Sequence, residues 1–332
     1  MICLFNYDIV YLGKIAKELG FVRDTIEKVA RLADILEYLN TNPILKDSLA
    51  LKGGTAINLT IFNLPRLSVD IDLDYLIASS REEMIESRDV VNVIINDYMV
   101  SKGYSKSLKT KNSHSLDSWV FDYLGASGNK ENIKIEINYS LRAHIFEVEE
   151  RPIITEYLSS GYKVKCLAPI EIYGSKINAL LSRAAARDLY DARNMIHFGL
   201  FDESQEELLR KCVVFYAVIS AKDRNNINKT FDTAAIDLIT NQKIRRELLP
   251  VIKRKEDFEL RSAKKLVKEY ITDLMVLSKD EKEFIAKFEC GEYNPELLFE
   301  DKNIQERIRN HPMALWKTRD LKDTALKNNK RL

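Results

Sequence analysis

Two aspartates at alternate positions, Asp70 and Asp72, are the residues of this chain best placed to do chemistry. They lie in the run Ser68-Val-Asp-Ile-Asp72, whose alternation of apolar and acidic residues predicts a β-strand. Side chains alternate faces along a strand, so both carboxylates project to one side, about 7 Å apart. Acids at that spacing can hold one divalent cation, or two cations that share ligands. Without such a cation, their mutual repulsion and lost hydration would be costly.

A glycine turn precedes this strand in the run Gly53-Gly54-Thr55, and a short helix is predicted after it over residues 55–62. Glycine lets backbone N–H groups approach phosphate oxygens closely, and the start of a helix favours negative charge. The hydroxyls of Thr55 and Ser68 add two donors to this predicted phosphate cradle. A nucleoside triphosphate with Mg²⁺, or with Mn²⁺ in its place, would lie between the turn and the acidic strand.

A third acidic ligand is predicted on a neighbouring strand, in the run Lys134-Ile-Glu-Ile-Asn138. Glu136 could complete the metal site or deprotonate an attacking hydroxyl. Asp74 competes for this role because it is in phase with the aspartate pair. Alone, a Gly-Gly-Thr run is most often only a turn, and an Asp-x-Asp run is most often an exposed strand face. Their combination over so short a stretch is much less often incidental.

The elements that must position these residues fall into three predicted regions. Residues 1–50 form one or two packing helices, because apolar residues recur at helical spacing until Thr41-Asn-Pro43 ends them. Residues 51–167 alternate helix and strand patterns, which indicates a compact α/β unit. Residues 168–332 show helical patterns only and end in a basic tail, where residues 301–332 hold nine Lys or Arg against four Asp or Glu.

Individual elements follow from the same periodicities. Strands are predicted at 69–76, 118–123, 133–139 and 164–167, and a helix is predicted at 82–101. Beyond residue 169, helices are predicted at 170–182, 186–198, 206–220, 232–240, 260–277 and 282–288.

Composition excludes several function classes. The chain has 332 residues, of which 45% are hydrophobic and 30% charged, and its net charge of +1 gives no sign of a general affinity for nucleic acid. Its four cysteines are scattered, which argues against a zinc site and a disulfide scaffold and favours the reducing cytoplasm. No stretch approaches the roughly 20 apolar residues of a membrane span, and no signal-peptide pattern opens the chain.

Longer strings carry a specific family resemblance. Residues 51–59 and 66–73 read LKGGTAINL and RLSVDIDL, and they resemble the AbiEii family of nucleotidyltransferase toxins and the related MenT-type toxins. Residues 168–183 and 187–191 are similar to later motifs of that family. The resemblance covers about residues 50–200. It implies an α+β fold, with a polymerase-β-like nucleotidyltransferase core around a mixed sheet and an all-helical C-terminal domain.

The later motifs imply further site residues. By resemblance, Lys176 contacts the nucleotide phosphates and Asp188 belongs to the catalytic group. Lys176, Arg183 and Arg187 would share one helical face if the helix is continuous. The fork of Arg183 suits phosphate, although a structural ion pair is as good an interpretation. Asp191 could pair with Arg187 one turn away.

The resemblance also implies a function. It is the magnesium-dependent transfer of a nucleotide from an NTP to RNA, with the tRNA 3′ end favoured, by the toxin of a bacterial toxin–antitoxin or phage-defence pair. A cognate antitoxin is the expected protein partner. Transfer of NMP to a protein side chain, or binding without catalysis, are the alternatives. The basic tail could add RNA phosphate contacts through Lys317, Arg319, Lys322, Lys327, Lys330 and Arg331.

Overall fold

The computed structural model describes residues 7–158, 161–222 and 226–319. The chain divides into two compact units. The first consists of Met1–Arg142, Val148–Leu167 and Leu249–Glu256, and the second of Ala143–Glu147, Ala168–Leu248 and Asp257–Leu332. Among the described helices, none is long and apolar enough to cross a membrane.

Three helices open the first unit. Helix α1 (Ile9–Leu19) begins after Asp8, whose carboxylate accepts two backbone amides of its first turn. Helix α2 (Arg23–Thr41) buries the apolar stripe that its periodicity predicts. Asn42 caps helix α3 (Pro43–Ser48), with proline at the first helical position. The predicted break at this point is therefore confirmed.

The core of the first unit is one mixed sheet. Its strands are β1 (Leu49–Lys52), β2 (Asp70–Tyr75), β3 (Ser105–Lys106), β4 (Lys111–Asn112), β5 (Leu116–Leu124), β6 (Lys130–Asn138), β7 (Glu149–Pro152) and β8 (Lys163–Cys166). Their order is β3-β5-β6-β2-β1-β8-β7, and β4 also pairs with β5. The β2–β6 and β1–β8 pairs are parallel and the other pairs antiparallel. The predicted mixed sheet is confirmed.

Two helical segments connect these strands near the candidate site. Helix α4 (Gly53–Ala56) follows β1 directly and continues as a π-helical turn (Ile57–Ile61). It starts two residues earlier than the sequence indicates. Helix α5 (Arg81–Ser101) follows β2 and begins with a capping box. Periodicity gave no prediction of β1, β3, β4 or β7, which have two to four residues each and carry little alternation, although β8, with four residues, was predicted at 164–167.

The second unit contains helices and no strand in its described residues. Its helices are α6 (Pro169–Arg183), α7 (Ala186–His197), α8 (Glu203–Ser220), α9 (Ala234–Asp237), α10 (Asn241–Lys243), α11 (Leu260–Leu274), α12 (Lys279–Glu289) and α13 (Lys302–Arg309). A π-helical turn (Ile244–Leu248) extends α10. The predicted helical C-terminal region is confirmed, although the helix predicted at 232–240 is reduced to the four residues of α9.

The predicted basic tail is only partly described. Lys317 is buried, and its Nζ donates to the carbonyl of Lys222 at 3.0 Å. Its predicted contact with RNA phosphate is therefore wrong, because this ammonium already has a backbone partner away from solvent. Arg319 is exposed. The remaining predicted contacts, Lys322, Lys327, Lys330 and Arg331, lie outside the described residues.

Candidate active site

Strand register brings the acidic residues of the candidate site together. Lys52 of β1 lies opposite Asp72 of β2, and Glu136 of β6 lies opposite Asp72 on the other side. Asp70 lies opposite Lys134 in the same way. Residues opposed on neighbouring strands have side chains on the same face. Asp70, Asp72 and Glu136 therefore share one face of the sheet, while the alternating apolar residues of β2 are buried.

Gly53 connects β1 to α4 at the point where the chain passes Asp72. Its φ is 67°, a left-handed conformation that residues with a side chain rarely adopt. A Cβ atom at this position would lie 2.6 Å from Oδ2 of Asp72. Backbone conformation and lack of space therefore each require glycine here, and the turn lies directly against the acidic strand.

Gly54 lies against the loop that leads into β2. A Cβ atom there would be 2.7 Å from Nη2 of Arg66 and 3.0 Å from Oγ of Ser68. Arg66 is buried, and its Nη1 donates to the carbonyl of Leu67 at 2.9 Å. Asn58 joins the two segments, because its Nδ2 donates to the Gly54 carbonyl at 2.7 Å and its Oδ1 accepts the Arg66 amide at 3.3 Å. Ser68 is thus held beside the glycine turn.

The hydroxyl of Thr55 already has a structural partner. The side chain is buried, and Oγ1 donates to the backbone carbonyl of Asp70. This bond fastens α4 to the start of β2 and so fixes the turn relative to the aspartate pair. A contact between this hydroxyl and phosphate stays a prediction from the sequence.

The carboxylates on this face differ in their partners. Asp74 is buried and forms an ion pair with Lys52, and its role as the alternative third metal ligand stays a prediction. Glu136 forms an ion pair with Lys134, whose Nζ lies 2.8 Å from Oε2. Within the residues that the structure describes, no ion pair involves the carboxylate of Asp70 or of Asp72. These two acids are the members of the cluster without a direct ion pair, although Lys52 lies near enough to Asp72 to affect its pKa.

The electrostatics of Asp72 favour an added cation. Burial raises the pKa of Asp72 to about 6; the nearby positive charge of Lys52 opposes this rise, and Glu136 and Asp70 add to it. Carboxylate oxygens are ligands that magnesium prefers, so the donor set fits that ion. Across the described ranges, however, no group of three or more His, Cys, Asp or Glu side chains is arranged to hold a metal. A site built from Asp70, Asp72 and Glu136 therefore stays a prediction.

The remaining predicted residues lie in the second unit and form a buried ion network. Nζ of Lys176 is 2.9 Å from Oδ1 of Asp188 and 2.6 Å from Oδ2 of Asp191. Arg183 contacts Oδ2 of Asp188 through Nη2 at 2.8 Å and Nε at 2.9 Å. Burial alone would raise the pKa of Asp188, but Lys176 and Arg183 hold it below its usual value. Two positive and two negative charges offset each other here.

The predicted single helical face for three basic residues is wrong. Ala184 adopts a left-handed φ of 49°, and it ends α6 before α7 begins. Lys176 and Arg183 lie on α6, whereas Arg187 lies on α7. Nε of Arg187 donates to the Glu247 carbonyl at 2.8 Å. The separate helices predicted at 170–182 and 186–198 already place a break here, which is confirmed, and this break rules out the continuous helix on which the shared face depended.

Sequence reasoning gave no role to three basic residues of the first unit. Lys52 directly precedes the glycine turn, and Lys134 is in phase with Glu136. Both lysines could therefore have been predicted to lie near the acidic residues. Arg66 had no comparable indication. Its contact with Gly54 depends on the path of the loop before β2, which carries no periodicity.

With this geometry established, comparison with known proteins decides the family. The family described as "Nucleotidyl transferase AbiEii toxin, Type IV TA system" matches residues 34–284, well over half of the chain. The chain belongs to the AbiEii family. As an AbiEii protein it is a nucleotidyltransferase and a toxin of the type IV toxin–antitoxin class, with an NTP as substrate and an antitoxin as partner. No curated protein matches it.

One solved structure shows the same fold as this AbiEii protein. MenT4, a nucleotidyltransferase toxin from Mycobacterium tuberculosis H37Rv, is similar with a TM-score of 0.61 and 16% sequence identity, over 94% of this chain and 99% of that one. A protein from H. pylori with a nucleotidyltransferase assignment has a TM-score of 0.44 and 16% identity, over 74% of this chain and 96% of that one. The likeness to MenT4 confirms the predicted fold class.

Proposed function

We propose that this AbiEii protein transfers a nucleotide from an NTP to RNA in a magnesium-dependent reaction, with the tRNA 3′ end as the favoured acceptor. The proposal also places the reaction in the cytoplasm and in phage defence. The observation that carries it is the close approach of Asp72 to Gly53, where an aspartate pair without ion-pair partners among the described residues adjoins the glycine turn.

The predicted site residues of the first unit have the following roles in this proposal. Asp70, Asp72 and Glu136 would hold magnesium, with manganese as a substitute. Bound magnesium would offset the charge of the triphosphate and favour departure of pyrophosphate. The glycine turn would offer backbone N–H groups to phosphate, and Ser68 would add its hydroxyl from beside Gly54.

The proposed transfer is a displacement at phosphorus. An acceptor hydroxyl oxygen forms a bond to the α-phosphorus, the bond from that phosphorus to the bridging oxygen breaks, and pyrophosphate leaves with the electron pair. The hydroxyl proton passes to a carboxylate. Glu136 would serve as that base or as the third metal ligand, because its side chain shares a face with Asp72.

Lys176, Arg183 and Asp188 enter the proposal through the family resemblance. Lys176 would neutralise the triphosphate, Arg183 would assist it, and Asp188 would belong to the catalytic group. In the described structure Lys176 and Arg183 each form an ion pair with Asp188. A phosphate contact by Lys176 would therefore require this ammonium to exchange a carboxylate partner for a phosphate oxygen.

A labelling experiment tests the proposal. The purified protein is incubated with each α-³²P-labelled NTP, with or without magnesium, and with total cell RNA or total cell protein. We expect label in RNA, concentrated at tRNA 3′ ends and dependent on magnesium, and none with D70N or D72N. Label confined to protein would contradict the RNA acceptor. No label with either acceptor, together with no magnesium-dependent NTP binding, would contradict the reaction itself.

A further inference from the structure

A strongly basic surface lies in the first unit between α5 and β5. Residues 102–112 contain four lysines and no acidic residue. They are called the lysine hairpin below because their strands, β3 and β4, both pair antiparallel with β5, as in a β-hairpin. The lysines are Lys102, Lys106, Lys109 and Lys111. All four are exposed, and none has an ion pair to another residue of the described ranges. The first two lie over aromatic rings, 5.7 Å from the Tyr98 centroid and 6.0 Å from that of Trp119.

Strand register connects the lysine hairpin to the candidate active site. Lys111 of β4 lies opposite Ser118 of β5, and Ser118 lies opposite Glu136 of β6. Glu136 in turn lies opposite Asp72. Neighbouring strands are about 4.8 Å apart, so this row of residues extends ~14 Å from Asp72 to Lys111. Opposed residues share a face, which places Lys111 on the face of the carboxylates. Lys106 lies opposite Phe121, out of phase with Ser118, so it lies at the same edge of the sheet but on the other face.

The chemistry of the lysine hairpin favours phosphate over an apolar partner. Leu108 in the same segment is fully exposed. A single exposed leucine is common on protein surfaces and gives too little apolar area for a membrane or protein interface. Four uncompensated ammonium groups, in contrast, attract a polyanion and release its counterions. The net charge of +1 for the whole chain conceals this local excess.

We propose that the lysine hairpin binds the sugar–phosphate backbone of the acceptor RNA, a short distance from the end that enters the carboxylate site. This inference rests on the RNA acceptor of the proposed function. Lysine contacts phosphate as a flexible point charge and reads no base edge. The lysine hairpin therefore contributes affinity and orientation, and leaves the choice of sequence to other residues.

Binding of a labelled RNA without any NTP tests this inference. The probe is a 5′-fluorescein-labelled single-stranded RNA of about 20 nucleotides, measured by fluorescence anisotropy between about 50 and 300 mM KCl. The variant is K102Q/K106Q/K109Q/K111Q in the full chain. The matched control is K14Q/K279Q/K282Q/K302Q, which changes net charge equally at four other exposed lysines. The charge-retaining replacement of the four hairpin lysines by arginine checks that the segment still folds.

We expect the hairpin variant to lose about 10- to 100-fold in affinity at low salt. The slope of log affinity against log salt should become shallower by about 3, since each lost phosphate contact removes about 0.7. The control and arginine variants should bind within about twofold of the wild type. Equal losses in the control, or unchanged binding by the hairpin variant, would overturn the inference.

Two further measurements separate this inference from the proposed function. The D70N/D72N variant keeps the lysine hairpin, so it should bind the RNA like the wild type while transferring no nucleotide. Label confined to protein, with RNA binding still dependent on the hairpin lysines, would contradict the proposed acceptor and leave the RNA-binding surface in place. If the hairpin variant lost binding to phosphatidylserine vesicles but kept RNA binding, the lysine hairpin would be a membrane contact and the inference would be wrong.

Discussion

The first and second units contain charged clusters of opposite kinds. In the first, Asp70 and Asp72 share a face with Glu136 and have no ion-pair partner among the described residues. In the second, Lys176 and Arg183 offset the charges of two buried aspartates. Two neighbouring carboxylates destabilise the folded state unless a cation is bound between them. A network with equal numbers of positive and negative groups already has its counter-charges within the chain. The first cluster is therefore suited to binding a cation, whereas the second stabilises the fold without one.

The largest expected effect is the loss of transfer activity in the first cluster. D72N keeps the size of the side chain and removes its charge, so we expect the initial rate of nucleotide transfer to fall about 10³-fold. Far-ultraviolet circular dichroism should show an unchanged fold. D97N, on the exposed face of α5, should transfer at the wild-type rate. More than a tenth of the activity surviving in D72N would contradict the role of this carboxylate.

Substitutions in the second cluster should lower the free energy of unfolding. K176M leaves buried Asp188 and Asp191 without their shared ammonium, and breaking a buried pair in this way costs about 3–5 kcal/mol. R183Q is the matched comparison, because the Arg183 side chain is 66% exposed and its loss should cost less than about 1 kcal/mol. Urea unfolding measures both. Equal midpoints for K176M and the wild type would mean that the network contributes nothing to folding.

Alanine substitutions at two glycines distinguish steric crowding at the acidic strand from backbone strain. Gly53 and Gly128 both have left-handed φ, 67° and 79°. A Cβ at Gly53 collides with Asp72, whereas one at Gly128 meets nothing within 4 Å. Both G53A and G128A should lose about 1 kcal/mol to strain, and G53A about 1–2 kcal/mol more.

Transfer activity should separate the same two variants. G53A displaces the Asp72 carboxylate and should lose most of its activity, while G128A should stay near the wild-type rate. If the two variants were equal in both stability and activity, the turn would not be coupled to the acidic strand.

These predictions rest on features that the sequence revealed unevenly. The face shared by Asp70 and Asp72 followed directly from strand alternation. Their placement beside Gly53 did not, because it depends on the antiparallel register of β1 with β2, and β1 is only four residues long. The end of α6 was visible as the gap between the helices predicted at 170–182 and 186–198, although the left-handed conformation of Ala184 itself was not. Alternation along a strand predicted which side chains share a face of the sheet. The register between strands, which the sequence does not show, determined which residues lie beside them.

The smallest expected effect is a pH dependence of stability at Asp72. Its pKa is about 6 in the folded protein, above the ordinary value that applies in the unfolded chain. The folded state therefore binds the proton more tightly, and the free energy of unfolding falls as pH rises through the interval from about 4 to 6. D72N removes this loss, so at pH 8 it should be more stable than the wild type by about 1–2 kcal/mol.

Urea midpoints at several pH values measure this effect. At pH 4 the advantage of D72N should vanish, because the wild-type carboxyl is then protonated when folded. Millimolar magnesium at pH 8 should stabilise the wild type and leave D72N unchanged. A D72N protein that is less stable than the wild type at pH 8 would show that Asp72 is already satisfied by its surroundings.

Cation binding by the first cluster is the central claim, and manganese measured by electron paramagnetic resonance tests it most directly. The wild type, D70N, D72N and D97N are each titrated with Mn²⁺ in the presence of a non-hydrolysable NTP analogue. We predict tight binding by the wild type and by D97N, and at least about 100-fold weaker binding by D70N and D72N. Equal manganese affinity in all four proteins would contradict the account.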